Sequence, residues 1–299
     1  MRGLGVAVLL LMASVPRVVA QGTYTQIDYP GATLTQVMGI DGAGDVIGNY
    51  STGRVSQGFL LSNGVFTAIA YPGAAYTDVT GINDVGQIVG SGISHNNPSV
   101  GFAYNVQTQM FTEVSTHNPN KVIAPLAIND AGTIVGIVDE TQTTPYEGFV
   151  DSSGTIQFFQ VPGAGGTWAN GISGDGEVVG YCLKKRGSSN LQSFSFQADR
   201  FKFLNVPDTS DALATGISPS GSAMVGYYPQ KAHDSDQYYG FVYQNNTVTS
   251  VQFPGAFSTW AIGVNDSGVV SGYFQDSNLN YHGFTWTPPG ADGKKQEFQ

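Results

Sequence analysis

One ten-residue segment recurs six times along the chain, and this repetition limits the possible folds more than any other feature of the sequence. The segment GINDVGQIVG occupies residues 81–90. Its six copies begin at Gly39, Gly81, Ala127, Gly171, Gly216 and Gly263, at intervals of 42 to 47 residues. A Gly-Phe or Ser-Phe pair follows each copy, and Pro-Gly-Ala precedes four of them. Such a period indicates an array of similar supersecondary units.

Each unit is predicted to contain four short strands, called A to D, as the second unit illustrates. There the strands cover residues 77–82, 87–91, 101–105 and 111–116. Between the first two lies Asn83-Asp84-Val85-Gly86, whose residue types favour a tight hairpin turn. In strand D of most units, apolar residues stand three and one positions before the proline, and the residue between them would point to the opposite face of the strand. This period of two is typical of a strand with one buried face.

Four antiparallel strands every 42 to 47 residues predict an all-β fold, a six-bladed β-propeller of four-stranded antiparallel blades over residues 21–290. The sixth unit supplies only three strands, while residues 24–29 form an unaccompanied strand at the other end. We therefore expect the N-terminal strand to complete the last blade and close the ring, which hides two sheet edges. Residues 291–299 are expected to be a flexible polar tail. A β-solenoid is the rival fold.

The first twenty residues resemble a targeting segment and are left out of the fold. Arg2 precedes an apolar run over residues 4–15, and small residues follow at 18–20. The run is shorter than the ~20 residues that a membrane-spanning helix needs. This pattern is typical of a secretory signal peptide cleaved after Ala20, so we expect a secreted protein, extracellular or periplasmic, without a membrane span.

The composition narrows the classes of partner and cofactor that this chain could bind. The formal net charge is −10 and no basic stripe is present, so nucleic acid is not an expected partner. Cys182 is the single cysteine, which excludes an internal disulfide. No metal-ligand spacing or cofactor motif occurs, so no metal or cofactor is predicted, and we expect a monomer.

The repeat also resembles a known family. It is similar to the HAF repeats of secreted bacterial proteins, named for a His-Ala-Phe motif that aligns just before strand C. His282-Gly283-Phe284 comes closest to that motif, and the other units carry Gln57, Val100, Glu147, Gln192 and Tyr239 at the His position. The resemblance implies a secreted repeat protein and carries no activity with it.

Candidate binding residues follow from where the units differ. The B–C and D–A connections share one face of a propeller and vary in length and sequence here, so this loop face is the expected site. Three residues before the strand-A glycine, the units carry Gln36, Asp78, Ala124, Trp168, Leu213 and Trp260. Trp168 and Trp260 are candidate stacking platforms for a sugar or peptide, or alternatively packing between blades. Asp78, Gln36 and Tyr76 complete the candidate ligand-binding set. All four histidines, at 95, 117, 233 and 282, fall in loops of this face, but they come from different units and no shared metal site is predicted.

Three functions remain open. The favoured one is a non-catalytic binding or scaffold propeller that recognises an extracellular glycan or protein through the loop face. The alternatives are a propeller enzyme, a hydrolase or lyase acting on extracellular glycans or lactones, and a structural cell-surface repeat protein. No catalytic motif occurs, so no catalytic residue is assigned.

The predicted signal peptide gives the first test. Intact-mass analysis of the protein exported from a bacterial host is expected to show a chain that begins at Gln21, because the small residues before it suit signal peptidase. Export of a chain that retains residues 1–20 would contradict this prediction.

Overall fold

The computed structural model describes residues 22–94, 99–116, 118, 121–140, 146–187, 190–206, 211–230 and 237–290. Within them lie 24 strands, which follow the six repeat units. Units 1 to 3 contain β2 (Leu34–Ile40), β3 (Val46–Ser51), β4 (Ser56–Ser62) and β5 (Val65–Ile69), then β6 (Tyr76–Ile82), β7 (Gln87–Ile93), β8 (Val100–Asn105) and β9 (Met110–Val114), then β10 (Lys121–Ile128), β11 (Ile134–Glu140), β12 (Glu147–Ser152) and β13 (Thr155–Phe159). Units 4 and 5 contain β14 (Gly166–Ile172), β15 (Val178–Leu183), β16 (Leu191–Gln197) and β17 (Arg200–Phe203), then β18 (Leu213–Ile217), β19 (Ala223–Pro229), β20 (Tyr238–Gln244) and β21 (Thr247–Val251). Unit 6 contains β22 (Ser258–Val264), β23 (Val270–Gln275) and β24 (Tyr281–Thr287), and β1 (Thr23–Ile27) joins it.

The strands form antiparallel sheets arranged as a propeller. Units 3, 4 and 5 are separate four-stranded sheets, and unit 6 becomes a fourth by pairing β1 with β24. That pairing runs from Thr23 opposite Thr287 to Ile27 opposite Gly283, so the predicted closure by the N-terminal strand is confirmed. The predicted signal peptide and the tail over residues 291–299 lie outside the described residues.

The predicted count of six separate blades is corrected. Four blades are separate sheets, while units 1 and 2 share one eight-stranded sheet. The physical reason is a parallel bridge between Ser56 of β4 and Tyr76 of β6, which joins the two sets of strands at one residue pair. None of the described residues forms a helix long and apolar enough to cross a membrane.

The Gly-Phe and Ser-Phe anchors of the repeat form the core. Their six phenylalanines have no exposed surface, and they are Phe59, Phe102, Phe149, Phe194, Phe241 and Phe284. All six lie opposite the glycine of strand B, as Phe59 lies opposite Gly48. A Cβ on Gly48 would come within 2.6 Å of the Phe59 ring, so the two anchors of the repeat fit each other.

The turn between strands A and B has a common hydrogen-bond pattern. Its first residue is buried in every unit, and these residues are Asp41, Asn83, Asn129, Ser173, Ser218 and Asn265. In Asn83 the side-chain oxygen accepts the N–H of Gln87 at 2.8 Å, which closes the hairpin. The fourth residue of each turn is a glycine with positive φ, such as Gly86 at 76°. These turns are hairpin turns, as the sequence predicts.

The same turns also bond from each unit to the next. The bonds are Gly42 N–H to Asp84 Oδ1 (2.7 Å), Asp84 N–H to Asp130 Oδ1 (2.8 Å), Asn129 Nδ2 to the Ser173 carbonyl (3.0 Å), Gly174 N–H to the Pro219 carbonyl (2.7 Å), Ser220 N–H to Asp266 Oδ1 (2.9 Å) and Asn265 Nδ2 to the Asp41 carbonyl (2.9 Å). Together they link all six units in a closed circle, which we call the turn ring. Because several of these donors and acceptors are buried, leaving one unpaired costs ~1–3 kcal/mol.

The inner strands converge beside the turn ring. Strands β2, β6, β10, β14, β18 and β22 each contact the next, and β22 contacts β2. Each has a β-bulge at the residue before the small residue of the repeat; the bulged residues are Met38, Thr80, Leu126, Asn170, Thr215 and Ile262. A small residue must follow, since a Cβ on Gly216 would lie 2.5 Å from the Ile262 carbonyl oxygen.

Asn129→Ala tests the turn ring. The substitution removes the bond to the Ser173 carbonyl and the in-turn bond from Thr133 N–H, so we expect the free energy of unfolding to fall by ~1–3 kcal/mol. The control is Asn205→Ala, at an exposed asparagine that forms no hydrogen bond with another described residue. Urea denaturation measures both, and equal midpoints for the two variants would contradict the assigned role.

Candidate functional site

The inner strands enclose a central cavity of ≈ 230 Å³. Its wall has two levels with one residue from each unit. The bulged residues form one level, and the other comprises Ile40, Ile82, Ile128, Ile172, Ile217 and Val264. A bulge changes the direction in which a side chain points, which explains why the bulged residues face the cavity.

The two ends of the cavity differ in chemistry. At the turn face the wall includes Asp84 and Asp130, which are exposed, together with parts of the turn ring. Toward the other end, the wall includes Tyr181, Tyr227 and Tyr273 of the second strands. The cavity therefore reaches the turn face, whereas the variation between units predicted a site on the loop face only.

Above the bulges, toward the loop face, each inner strand forms a cross-strand pair with the second strand of its unit. The six pairs are Gln36 with Asn49, Asp78 with Ser91, Ala124 with Ile137, Trp168 with Tyr181, Leu213 with Tyr227, and Trp260 with Tyr273. Directly opposed residues project from the same face of a sheet. Because the positions are equivalent and the inner strands form a circle, the pairs surround the central axis at one level, and we call them the paired ring. Tyr181, Tyr227 and Tyr273 belong to both this ring and the cavity wall, and we call the cavity together with the space inside the ring the channel.

Units 4 to 6 make the paired ring aromatic on one side. The Trp168 ring stacks on Tyr181 with centroids 5.2 Å apart, and Trp260 stacks on Tyr273 at 5.1 Å. Tyr238 joins the two sectors, since its ring lies 5.5 Å from Tyr227 and 5.6 Å from Trp260. Such offset and tilted contacts stabilise aromatic clusters beyond the area that they bury.

The tyrosine hydroxyls of this side stay protonated. Burial raises the pKa of Tyr181 and Tyr227, and it raises the pKa of Tyr273 to about 12. After burial, the next causes of the raised pKa of Tyr227 are the phenol groups of Tyr273, Tyr181 and Tyr238. At neutral pH they are uncharged groups that can donate and accept hydrogen bonds.

Units 1 and 2 make the opposite side polar. Gln36, Asp78 and Ser91 are half-buried, and their side chains form no hydrogen bond with another described residue. Asn49 is different, because its side chain holds the next inner strand through Val79: Nδ2 donates to the carbonyl at 3.1 Å, and the Val79 N–H donates to Oδ1 at 2.9 Å. Burial alone raises the pKa of Asp78. Three polar side chains are thus available to a ligand.

Four of the five candidate residues lie in the paired ring. Trp168 is half-buried, whereas Trp260 is only 9% exposed and packs between Tyr273 and Tyr238. Trp260 therefore fits the packing alternative better, and Trp168 offers more surface. Gln36 and Asp78 lie on the polar side. Tyr76, 41% exposed, begins β6 two residues before Asp78 and is outside the ring.

The second-strand partners are not among the residues that the sequence pattern predicted. Tyr181, Tyr227 and Tyr273 directly follow the glycine that ends the ten-residue segment, where the other units have Asn49, Ser91 and Ile137. At this repeat position the residue type differs between units as strongly as it does at the position of Trp168. Reading it would have found the aromatic half of the ring.

The remaining polar clusters do not form a metal site. His282 Nδ1 lies 2.8 Å from Asp28 Oδ1, and its Nε2 lies 3.6 Å from Asp276 Oδ2. These contacts tie β24 to the segment after β1. Among the residues that the structure describes, no group of three His, Cys, Asp or Glu side chains could hold a metal ion. Of the loop histidines, those at 95, 117 and 233 lie outside the described residues.

Asp78→Asn tests the burial of the unpartnered carboxyl group. A raised native pKa means that ionised Asp78 destabilises the fold at pH 7, and this penalty vanishes as the pH falls from the native pKa toward the ordinary value of 3.8. We therefore expect the variant to have the higher Tm at pH 7, with a difference that shrinks on acidification. Asp199→Asn, in an exposed turn, is the control. Thermal unfolding by circular dichroism measures the difference, and a lower Tm of the Asp78 variant at pH 7 would contradict the prediction.

Solved structures similar to this chain are propellers of different functions. The β-propeller domain of the Trilobed protease from Pyrococcus furiosus matches with a TM-score of 0.50 and 9% identity, over 85% of this chain and 94% of that chain. XC5397 from Xanthomonas campestris, described as a gluconolactonase, matches with a TM-score of 0.53 and 11% identity, over 93% and 99%. The SapL1 lectin, solved with alpha methyl fucoside, matches with a TM-score of 0.54 and 12% identity, over 86% and 96%.

Neither a protein-family model nor a curated protein sequence matches the chain. At 9 to 12% identity, the structural matches show the fold and leave the ligand open. The chain is an all-β propeller with four-stranded antiparallel blades.

Proposed function

We propose that this protein is a secreted, non-catalytic propeller that binds an extracellular glycan at the paired ring. The observation that carries the proposal is the division of that ring into an aromatic side and a side with unpartnered polar groups. A sugar ring has apolar C–H faces and hydroxyl edges, so it is bound best between an aromatic surface and hydrogen-bonding side chains.

The platform in this proposal is Trp168. It is half-buried, it is held by its stack on Tyr181, and Tyr146 lies 5.3 Å away with 40% of its surface exposed. Across the channel, Gln36, Asp78 and Ser91 bind hydroxyl groups of the same ligand. None of these three must break a bond with another described residue to do so, which keeps the cost of binding low.

We further propose that the eight-stranded sheet acts as two blades, so that the ring has six. Units 1 and 2 each contain the same four antiparallel strands as the other units, and a single bridged pair of residues joins them. The turn ring also passes through each of them separately, by way of Gly42 and Asp84. Export and membership of the HAF-type repeat proteins remain part of this proposal.

Glycan-array binding of the exported protein tests the proposed function. Wild type is expected to retain a defined glycan, and Trp168→Ala to lose most of that retention, since the variant lacks the aromatic face on which the sugar ring stacks. The matched control is Phe203→Ala, which removes a 55% exposed aromatic ring from the outer strand of the same unit.

Two results would contradict the proposal. One is the absence of any retained glycan, which would favour a scaffold role. The other is undiminished retention by a folded Trp168→Ala variant, which would place the site elsewhere. Turnover of a retained glycan or of a lactone would favour the enzyme alternative, in which Asp78 is the carboxyl group to test first.

A further inference from the structure

Among the residues that the structure describes, the wall of the channel carries carboxylates and no basic side chain. The carboxylates are Asp78 in the paired ring and Asp84 and Asp130 at the turn face. No lysine, arginine or histidine occurs among the residues of the paired ring or of the cavity wall. The sequence as a whole carries a net charge of −10. These carboxylates would repel an anionic ligand such as a uronic acid or a sulfated sugar.

Asp78 differs from the other two carboxylates because it has no partner. Asp84 Oδ1 accepts the Gly42 N–H at 2.7 Å, and Asp130 Oδ1 accepts the Asp84 N–H at 2.8 Å. Asp78 accepts no hydrogen bond from a described residue, and its equivalents in the two neighbouring units are the neutral Gln36 and Ala124. A partly buried carboxylate without a partner is stabilised when a cation binds to it.

The aromatic side of the paired ring also favours a positively charged ligand. Aromatic faces attract cations through the ring quadrupole, and Trp does so most strongly. Trp168 presents the more accessible face, and the neutral tyrosine hydroxyls beside it bring no positive charge. Both halves of the paired ring therefore favour a ligand that carries positive charge.

We propose that the glycan of this site is an amino sugar with a free, protonated amino group, which pairs with the Asp78 carboxylate while a sugar ring of the same chain stacks on Trp168. This inference rests on the proposed function and names its substrate class. Asp78 lies in unit 2 and Trp168 in unit 4, on different sides of the channel, so the ligand is an oligosaccharide that extends across it.

Paired oligosaccharides that differ only in N-acetylation, which removes the positive charge, test the inference. Isothermal titration of wild type compares a glucosamine oligomer with the N-acetylglucosamine oligomer of equal length, below the pKa of the free amine. A charge-assisted hydrogen bond is expected to make the glucosamine oligomer bind about tenfold more tightly. In Asp78→Asn the ratio of the two Kd values is expected to fall to about one, while Asp199→Asn keeps the wild-type ratio. Added salt is expected to reduce the ratio in wild type.

The outcomes separate this inference from the function on which it rests. Equal or tighter binding of the N-acetylated oligomer, or a preference for glucosamine that persists in Asp78→Asn, would overturn the inference. Failure of both oligomers to bind, with another glycan retained on the array, would also overturn it and leave the proposed function standing. If wild type bound no glycan at all, both this inference and the proposed function would be overturned.

Discussion

The hydrogen bonds of the turn ring set the geometry of everything else in this molecule. Each A–B turn closes its own hairpin and also bonds to the turn of the next unit, as Asn129 does toward Ser173. The last unit returns to the first through Asn265 and Asp41, so the circle closes without a free end. Pairing of β1 with β24 closes the outer side of the same unit. With the turns fixed, the inner strands must meet around a common axis, and the bulged residues and the paired ring take their positions from that constraint.

Within the repeat, the positions that maintain the fold are different from the positions whose side-chain chemistry varies between units. The turn glycines and the phenylalanines of the core change little from unit to unit, because each change would leave a strained turn or a void. The bulged residues and the tyrosines Tyr181, Tyr227 and Tyr273 line the cavity, and the residue types at the bulge and pair positions vary from unit to unit. Units 4 to 6 use them for aromatic stacks such as Trp168 on Tyr181, and units 1 and 2 for polar groups such as Asp78. A repeated scaffold therefore carries an asymmetric site.

Much of the fold could be predicted from the sequence because the signals were local. The period of the anchors gave the propeller, the Asn-Asp-x-Gly turns gave the hairpins, and the unaccompanied N-terminal strand gave the closure. The shared sheet of units 1 and 2 could not be predicted, because one contact between Ser56 and Tyr76 decides it. Half of the candidate site could be predicted, because the position of Trp168 and Asp78 differs clearly between units. The position of Tyr181 supplies the other half and was not among the predicted residues. Bulges leave no clear mark in sequence, so the cavity that they line, and its reach to the turn face, appear only in three dimensions.

In the proposed function, one ligand contacts both halves of the paired ring. A crystal structure of the protein with its retained oligosaccharide tests this most directly. We expect a sugar ring stacked on Trp168 and a polar group of the same oligosaccharide within hydrogen-bond distance of the Asp78 carboxylate. A sugar bound between the outer strands of neighbouring units, with the paired ring left open, would contradict it.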